Sequence, residues 1–192
     1  NQLALAIGDV SGHGVGPALL MAETRAYLRI LARNRNDLSL ILKRANTMLG
    51  EDVGKERFVT MLLTKIDPQS RTLVHASAGH TPAFVLDSAG NIKYELKRTG
   101  MPLGVMPDAE YNLSRSMALA KGDVVLLLTD GLEETTSPEG ELFGSRRLIE
   151  AVNDLRDVDA AEIVNTLFDA LAGFSGNAEQ VDDLTMIVAK TL

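Results

Sequence analysis

Two turn signals in the middle of the chain do most to limit its fold. Asp67-Pro68-Gln69-Ser70 separates Phe58–Ile66 from Thr72–Ser77, and Asp87-Ser88-Ala89-Gly90-Asn91 separates Pro82–Leu86 from Ile92–Leu96. Asp, Asn, Gly and Pro are what tight turns demand, and the flanking runs are rich in strand-forming residues. Strands joined over so short a link run antiparallel. Val124–Leu128 is continuously apolar, as for a strand buried on both faces, Leu3–Ile7 reads as the first strand, and Leu184–Ala189 reads as the last.

Helices fall between these strands. Gly16-Pro17 predicts a helix with Pro17 as its first residue, running to about Arg33 with Arg25, Arg29 and Arg33 on a polar face. Asp37 is placed to cap a second helix, in which Leu38, Ile41, Leu42, Ala45, Met48 and Leu49 follow the helical period. Two such helices over a short polar link form a helical hairpin. Helical patterns return at 146–155 and 160–171. Antiparallel hairpins with helices bunched between them predict an α+β layered domain rather than a parallel βαβ fold. The 192 residues fit one domain, and no repeat or linker interrupts them.

Composition removes several classes of function. With 19 basic against 26 acidic residues the net charge is −7, a poor match for nucleic acid. The absence of cysteine excludes disulfides, thiolate zinc sites and cysteine nucleophiles. No apolar run is long enough to span a bilayer and no secretory signal is visible, so the expected location is cytoplasmic. With only three histidines (His13, His75 and His80), any metal site must lean on oxygen ligands.

Acids recur at strand ends. Asp9 closes the first strand within A-I-G-D-V-S-G-H-G-V-G (6–16), where the glycines let the backbone bend and be approached closely. Asp130 follows Val124–Leu128 in T-D-G-L, and Asp182 and Asp183 precede Leu184 in V-D-D-L-T. If the last strand runs antiparallel to the other two, all these acids fall along one edge of one sheet. There they would repel one another unless a hard cation such as Mg²⁺ or Mn²⁺ lay between them. Singly, each has a plainer reading, because an Asp before Gly forms turns more often than it binds metal. No G-x-S-x-G elbow, dinucleotide fingerprint or G-K-[ST] phosphate loop is present. A metal-activated water is then the natural nucleophile, and metal-assisted hydrolysis of a phosphoester is the expected reaction.

Seven segments occur in one order: G-D-V-S-G-H-G (8–14), R-F-V-T-M (57–61), A-G-H-T-P-A (78–83), G-M-P-L-G (100–104), G-D-V-V-L-L-L-T-D-G-L-E-E (122–134), G-E-L-F-G (140–144) and D-D-L-T (182–185). Together they resemble the metal-dependent serine/threonine protein phosphatases (PPM), in the bacterial branch typified by sporulation stage II protein E and the stress-response phosphatases. The resemblance covers nearly the whole chain. It implies a four-layer α-β-β-α sandwich, two antiparallel sheets flanked by helices, with two Mn²⁺ or Mg²⁺ ions in the complete domain. It makes Asp9 the ligand bridging both ions, the Val10 carbonyl a second oxygen ligand, and Asp130 a ligand of the other ion. Asp182 matches the remaining ligand, with Asp183 as second choice. His13 is either a group that orients water or donates a proton, or a packed structural side chain. His80 is read as structural.

The resemblance also implies partners. The expected substrate is a phosphorylated protein, such as a STAS-type anti-anti-sigma factor in sigma-factor regulation. A sensor or receiver domain is expected upstream in the same chain, as in two-component signalling, with dimerisation or signal reception through helices 17–53. Family members carry a further metal-binding aspartate one strand upstream, which residues 1–192 lack. The competing expectation is therefore a catalytically weak adaptor domain that works by protein binding.

Overall fold

A computed structural model describes residues 2–34, 37–52, 57–153, 158–178, 180 and 182–192. In chain order its elements are β1 (Leu3–Val10), α1 (Val15–Asn34), α2 (Leu38–Asp52), β2 (Val59–Asp67), β3 (Thr72–Ala78), β4 (Ala83–Leu86), β5 (Ile92–Leu96), β6 (Met117–Ala118), β7 (Val124–Leu128), α3 (Asp130–Glu134), α4 (Gly144–Asn153), α5 (Ala160–Ser175) and β8 (Met186–Lys190). They divide between two units, residues 1–81 with 97–118 and residues 82–96 with 119–192. Each unit holds one antiparallel sheet, in strand order β1-β2-β3-β6 and β5-β4-β7-β8 respectively. The class is α+β, as the hairpin signals predict.

Both turn signals close hairpins, and for the same reason. Asp67 Oδ1 accepts the N–H groups of Gln69 (2.9 Å) and Ser70 (3.2 Å), and Asp87 Oδ1 accepts those of Ala89 and Asn91 (both 2.9 Å). Each carboxylate thus satisfies backbone donors that the turn leaves open. The Gln2 side-chain hydrogen bond and these turn N–H groups hold the Asp67 carboxyl below its ordinary range.

In the first unit α1 and α2 cover one face of the sheet. Leu38, Ile41, Leu42, Ala45 and Leu49 of α2 are buried with Leu20 of α1 against Val10, Val59, Met61, Leu63 and Ala76. The α2 stripe is therefore core, each buried Leu or Ile worth roughly 1.5–3 kcal/mol. Asp37 caps α2 as predicted, its Oδ1 accepting from Ser39 N (3.0 Å) and Leu40 N (3.3 Å). Helix α1 starts at Val15, so Pro17 is its third residue; the first turn needs no proline N–H.

The loop after β5 binds back onto the ends of β2 and β3. Gly79 N donates to Gly100 O (2.9 Å), and Val59 and Leu103 exchange both backbone bonds (3.0 and 2.8 Å). Gly79 has φ +66°, and a Cβ there would lie 2.4 Å from the Pro102 ring, so A-G-H and G-M-P-L-G are two halves of one packing contact. From α2, the buried Asn46 staples the same loop. Its Nδ2 donates to Met106 O (2.8 Å) and Pro107 O (3.0 Å), and its Oδ1 accepts from Gly104 N (2.9 Å).

In the second unit α3, α4 and α5 pack on β4 and β7 through Leu132, Leu148, Val152, Ile163, Leu167 and Leu171. All five residues of β7 are buried, as its apolar run predicts. Asp159 caps α5, accepting from Glu162 N at 2.9 Å. Phe143 of G-E-L-F-G meets Phe174 edge to face at 5.2 Å.

Several boundaries differ from expectation. Helix α5 runs on to Ser175 rather than stopping at Leu171, and β8 begins at Met186 rather than Leu184. The predicted end of α4, Leu155, and the predicted end of the helical hairpin, Val53, lie outside the described residues. The acids do not share one sheet edge: β8 is antiparallel to β7, but β1 belongs to the other sheet, as the outer strand beside β2. Its pairing is fixed by the Val10↔Val59 to Leu3↔Ile66 register, eight residue pairs long. Among the described residues no helix is long and apolar enough to cross a membrane.

Candidate metal centre

In the first unit the site residues sit where β1 runs into a glycine turn. Asp9 is half-buried opposite Thr60, and Val10 is buried opposite Val59. Gly8 is forced by β2, since a Cβ there would lie 2.6 Å from the Thr60 carbonyl oxygen. The ladder continues one step further: Ser11 N donates to Phe58 O and Phe58 N to Ser11 Oγ, both at 3.0 Å. The chain then turns through Gly12 (φ +83°) and Gly14 (φ +95°), left-handed conformations that a side chain would strain. His13 is exposed in this turn, which removes its packed structural reading.

The Thr60 hydroxyl lies 3.4 Å from the Asp9 carbonyl oxygen and 2.9 Å from His80 Nδ1. His80 is buried, and its carbonyl accepts from Arg98 Nε at 3.3 Å. Its imidazole therefore braces the β1–β2 pairing beside Asp9, a more specific role than sequence alone assigned. Thr60 itself was missed; its signal is a hydroxyl in R-F-V-T-M at the mouth of an apolar strand.

In the second unit Asp130 opens α3 directly after β7, and the D-D-L-T segment crosses against it. Thr129 is the clasp. Its buried Oγ1 donates to Asp183 O (3.1 Å) and accepts from Thr185 N (3.0 Å), while its N–H donates to Thr185 O (3.0 Å). Gly131 completes the contact, because a Cβ there would lie 2.5 Å from Asp183 O and 3.4 Å from the Asp182 Cβ. The T-D-G and V-D-D-L motifs are thus one interlock, in which Thr129 and Gly131 pack directly on the 182–185 segment. Asp182 Oδ1 accepts from Asp183 N at 2.7 Å, and Gln180 Nε2 donates to Asp182 O at 2.9 Å.

The structure therefore brings Asp9, Val10 and His13 to one turn, and Asp130, Asp182 and Asp183 to one interlock. Their donors are carboxylate and carbonyl oxygens, the ligand chemistry of Mg²⁺ and Mn²⁺. Among the described residues no three His, Asp or Glu side chains are grouped closely enough to hold an ion by themselves. Carbonyl and water oxygens have to complete any shell, as is usual for Mg²⁺.

A sequence model of the family described as Stage II sporulation protein E (SpoIIE) matches residues 1–192. The chain belongs to the SpoIIE family. Its relatives include Protein IcfG of Synechocystis sp., 29% identical over 97% of this chain and 33% of that protein. Phosphoserine phosphatase RsbU of Bacillus subtilis is also 29% identical, over 98% of this chain and 56% of its own length. The chain thus spans between a third and somewhat more than half of these curated relatives. Among solved structures, the SiaA PP2C domain of Pseudomonas aeruginosa superposes with a TM-score of 0.82 at 26% identity, covering 97% of this chain and 75% of that one. The SpoIIE-family fold here is that of PP2C phosphatase domains. Proteins of the same fold include RsbX in complex with magnesium (TM-score 0.67, 20% identity) and the PstP catalytic domain with two manganese ions (TM-score 0.69, 19% identity).

Proposed function

We propose that the chain is a metal-dependent protein serine/threonine phosphatase domain of bacterial signalling. The observation that carries the reading is the Thr129–Gly131 interlock with Asp182–Asp183, which joins two distant acid-bearing motifs in a chain of the SpoIIE family. Asp9, the Val10 carbonyl, Asp130 and Asp182 would hold Mn²⁺ or Mg²⁺, with Asp183 as second choice. When bound, such ions make water a nucleophile at neutral pH and offset charge on a phosphoryl group. The chain itself contributes the geometry: Thr129 and Gly131 hold the 182–185 segment against the start of α3, and Thr60 with His80 steadies the end of β1. His13, exposed in its turn, would move a proton or orient water.

The substrate in this reading is phosphoserine or phosphothreonine on a protein of the anti-anti-sigma (STAS) type, with sensing supplied by other domains of a longer chain in the cytoplasm. Helix α1 is the proposed surface for self-association or signal reception. Its Val15 (78% exposed), Leu19 (67%) and Ile30 (57%) stand out on the surface, whereas the α2 stripe is spent on the core. Mn²⁺-dependent release of phosphate from a phosphorylated STAS protein tests the activity. No release at saturating Mn²⁺ from the full-length protein would overturn it. That outcome would favour the second reading, a catalytically weak adaptor domain that works by protein binding.

A further inference from the structure

The second unit contains a cavity of about 560 Å³ to which the sequence motifs assign no role. Its apolar wall comes from Leu142, Phe168, Leu171 and Leu184, between α3, α5 and the segment leading to β8. Leu142 is 56% exposed and Phe168 37%, so the cavity opens to solvent through apolar surface rather than being filled core. The volume lies within the range of about 300–1,000 Å³ typical of ligand pockets and exceeds what a single side chain fills.

Its polar lining is one-signed. Glu134, Asp169 and Asp182 contribute carboxylates, and among the described residues no Lys or Arg lines it. Neither Glu134 nor Asp169 forms a salt bridge among the described residues. An apolar floor under unpaired acids complements a group with an aliphatic body and a positive end, and it disfavours a phosphate. Gly131 and Asp182 also line the cavity, so it shares a wall with the interlock assigned above to the metal centre.

We propose that this cavity binds the segment of the phosphoprotein substrate flanking the phosphorylated residue, and selects one carrying an apolar side chain together with Lys or Arg. The proposal rests on the phosphatase reading for its choice of occupant. The apolar side chain covers Phe168 and Leu142, and the cation pairs with Asp169 and Glu134. Acidic neighbours of the phosphoserine are rejected by the same carboxylates.

The chain contains no tryptophan, so Phe168→Trp installs a single reporter in the wall. Non-hydrolysable phosphonate analogues of phosphoserine peptides are titrated in Mn²⁺, one set carrying Leu and Arg near the phosphonate and the other Ala and Glu. Anisotropy of labelled peptides on the unsubstituted chain gives affinities independent of that substitution. The Leu/Arg set binds at least about tenfold more tightly and shifts the tryptophan emission, and Asp169→Asn narrows the ratio. Equal affinities, no binding of either set, or tight binding without any change in emission overturns the proposal. Equal hydrolysis of the two sets as true phosphopeptides overturns it while leaving the phosphatase reading intact. Selective binding of the Leu/Arg set without hydrolysis upholds the cavity and counts against catalysis.

Discussion

Gly131→Ala tests the interlock with one methyl group. Gly131 lies inside α3 without a positive φ, so the backbone accepts alanine, and helix propensity favours the change by about 1 kcal/mol. Sterics oppose it. The new Cβ starts 2.5 Å from Asp183 O, and ordinary contact begins at 3.4 Å, so the Asp182–Asp183 segment must withdraw by roughly 0.9 Å. Overpacking of this kind costs about 1–3 kcal/mol, against which the propensity gain offsets part. The net loss of stability is then about 0–2 kcal/mol, readable as a shift in urea midpoint. The functional loss is larger, because metal ligands tolerate displacements of only about 0.2 Å and a 1 Å misplacement costs on the order of 100-fold in rate. Mn²⁺-dependent hydrolysis of p-nitrophenyl phosphate, measured beside urea unfolding, separates the two. A folded Gly131→Ala protein with unchanged kcat and unchanged Mn²⁺ dependence would show that the placement of the Asp182–Asp183 segment against α3 does not matter, and would refute the assigned centre.

Asp9→Asn and Asp130→Asn each abolish hydrolysis while leaving the far-ultraviolet spectrum unchanged, a loss of several kcal/mol in transition-state stabilisation; wild-type turnover in either overturns its assignment. Asp182→Asn is more damaging to Mn²⁺ affinity by calorimetry than Asp183→Asn, and the reverse order would move the ligand by one residue. Burial pushes the His75 imidazole below its ordinary value, against a raising hydrogen bond to the Lys97 carbonyl at 3.0 Å. The unfolded chain, with its ordinary value near 6.5, then binds the proton first, so stability falls as pH drops from about 6.5 through the folded value; His75→Gln flattens that slope in urea midpoints taken between about pH 7.5 and 5.5. Asn46→Leu removes three hydrogen bonds to the 104–107 loop and lowers stability by about 2–4 kcal/mol, and a change under about 0.5 kcal/mol would show the staple to be ornamental.

The strands and hairpins were legible because their causes are local. Asp67 and Asp87 bond N–H groups two to four residues away, and Asp37 caps the helix that follows it. What stayed hidden was long-range. Nothing in Leu3–Val10 says that its partner is β2 rather than β7, so the shared sheet edge was inferred where two sheets exist. Met117–Ala118 is too short to show a period and becomes a strand only by pairing with Leu73 and Thr72. Asp130-Gly131 looks like turn chemistry, yet it opens a helix, because Thr129 is clasped by a segment more than fifty residues later. That same clasp takes up Thr185, which is why β8 starts late. The motif glycines announced themselves, but what fills the space beside them, Pro102 at Gly79 and Asp183 at Gly131, could not be read from the chain.

The position of β1 at the rim of its sheet has a practical consequence for handling the protein. Among the described residues no strand pairs with its outer side, and the stretch Leu3-Ala4-Leu5-Ala6-Ile7-Gly8 carries no lysine and no proline, the usual deterrents to strand addition. Leu3 is 47% exposed at its start, and Asp9 at the far end supplies the strand's only charge. Such a rim invites a further strand, whether from flanking sequence or from a neighbouring molecule. Concentrated samples of residues 1–192 alone should accordingly thicken into cross-paired aggregates along this edge, and a lysine placed at Ala4 or Ala6 should keep them dispersed.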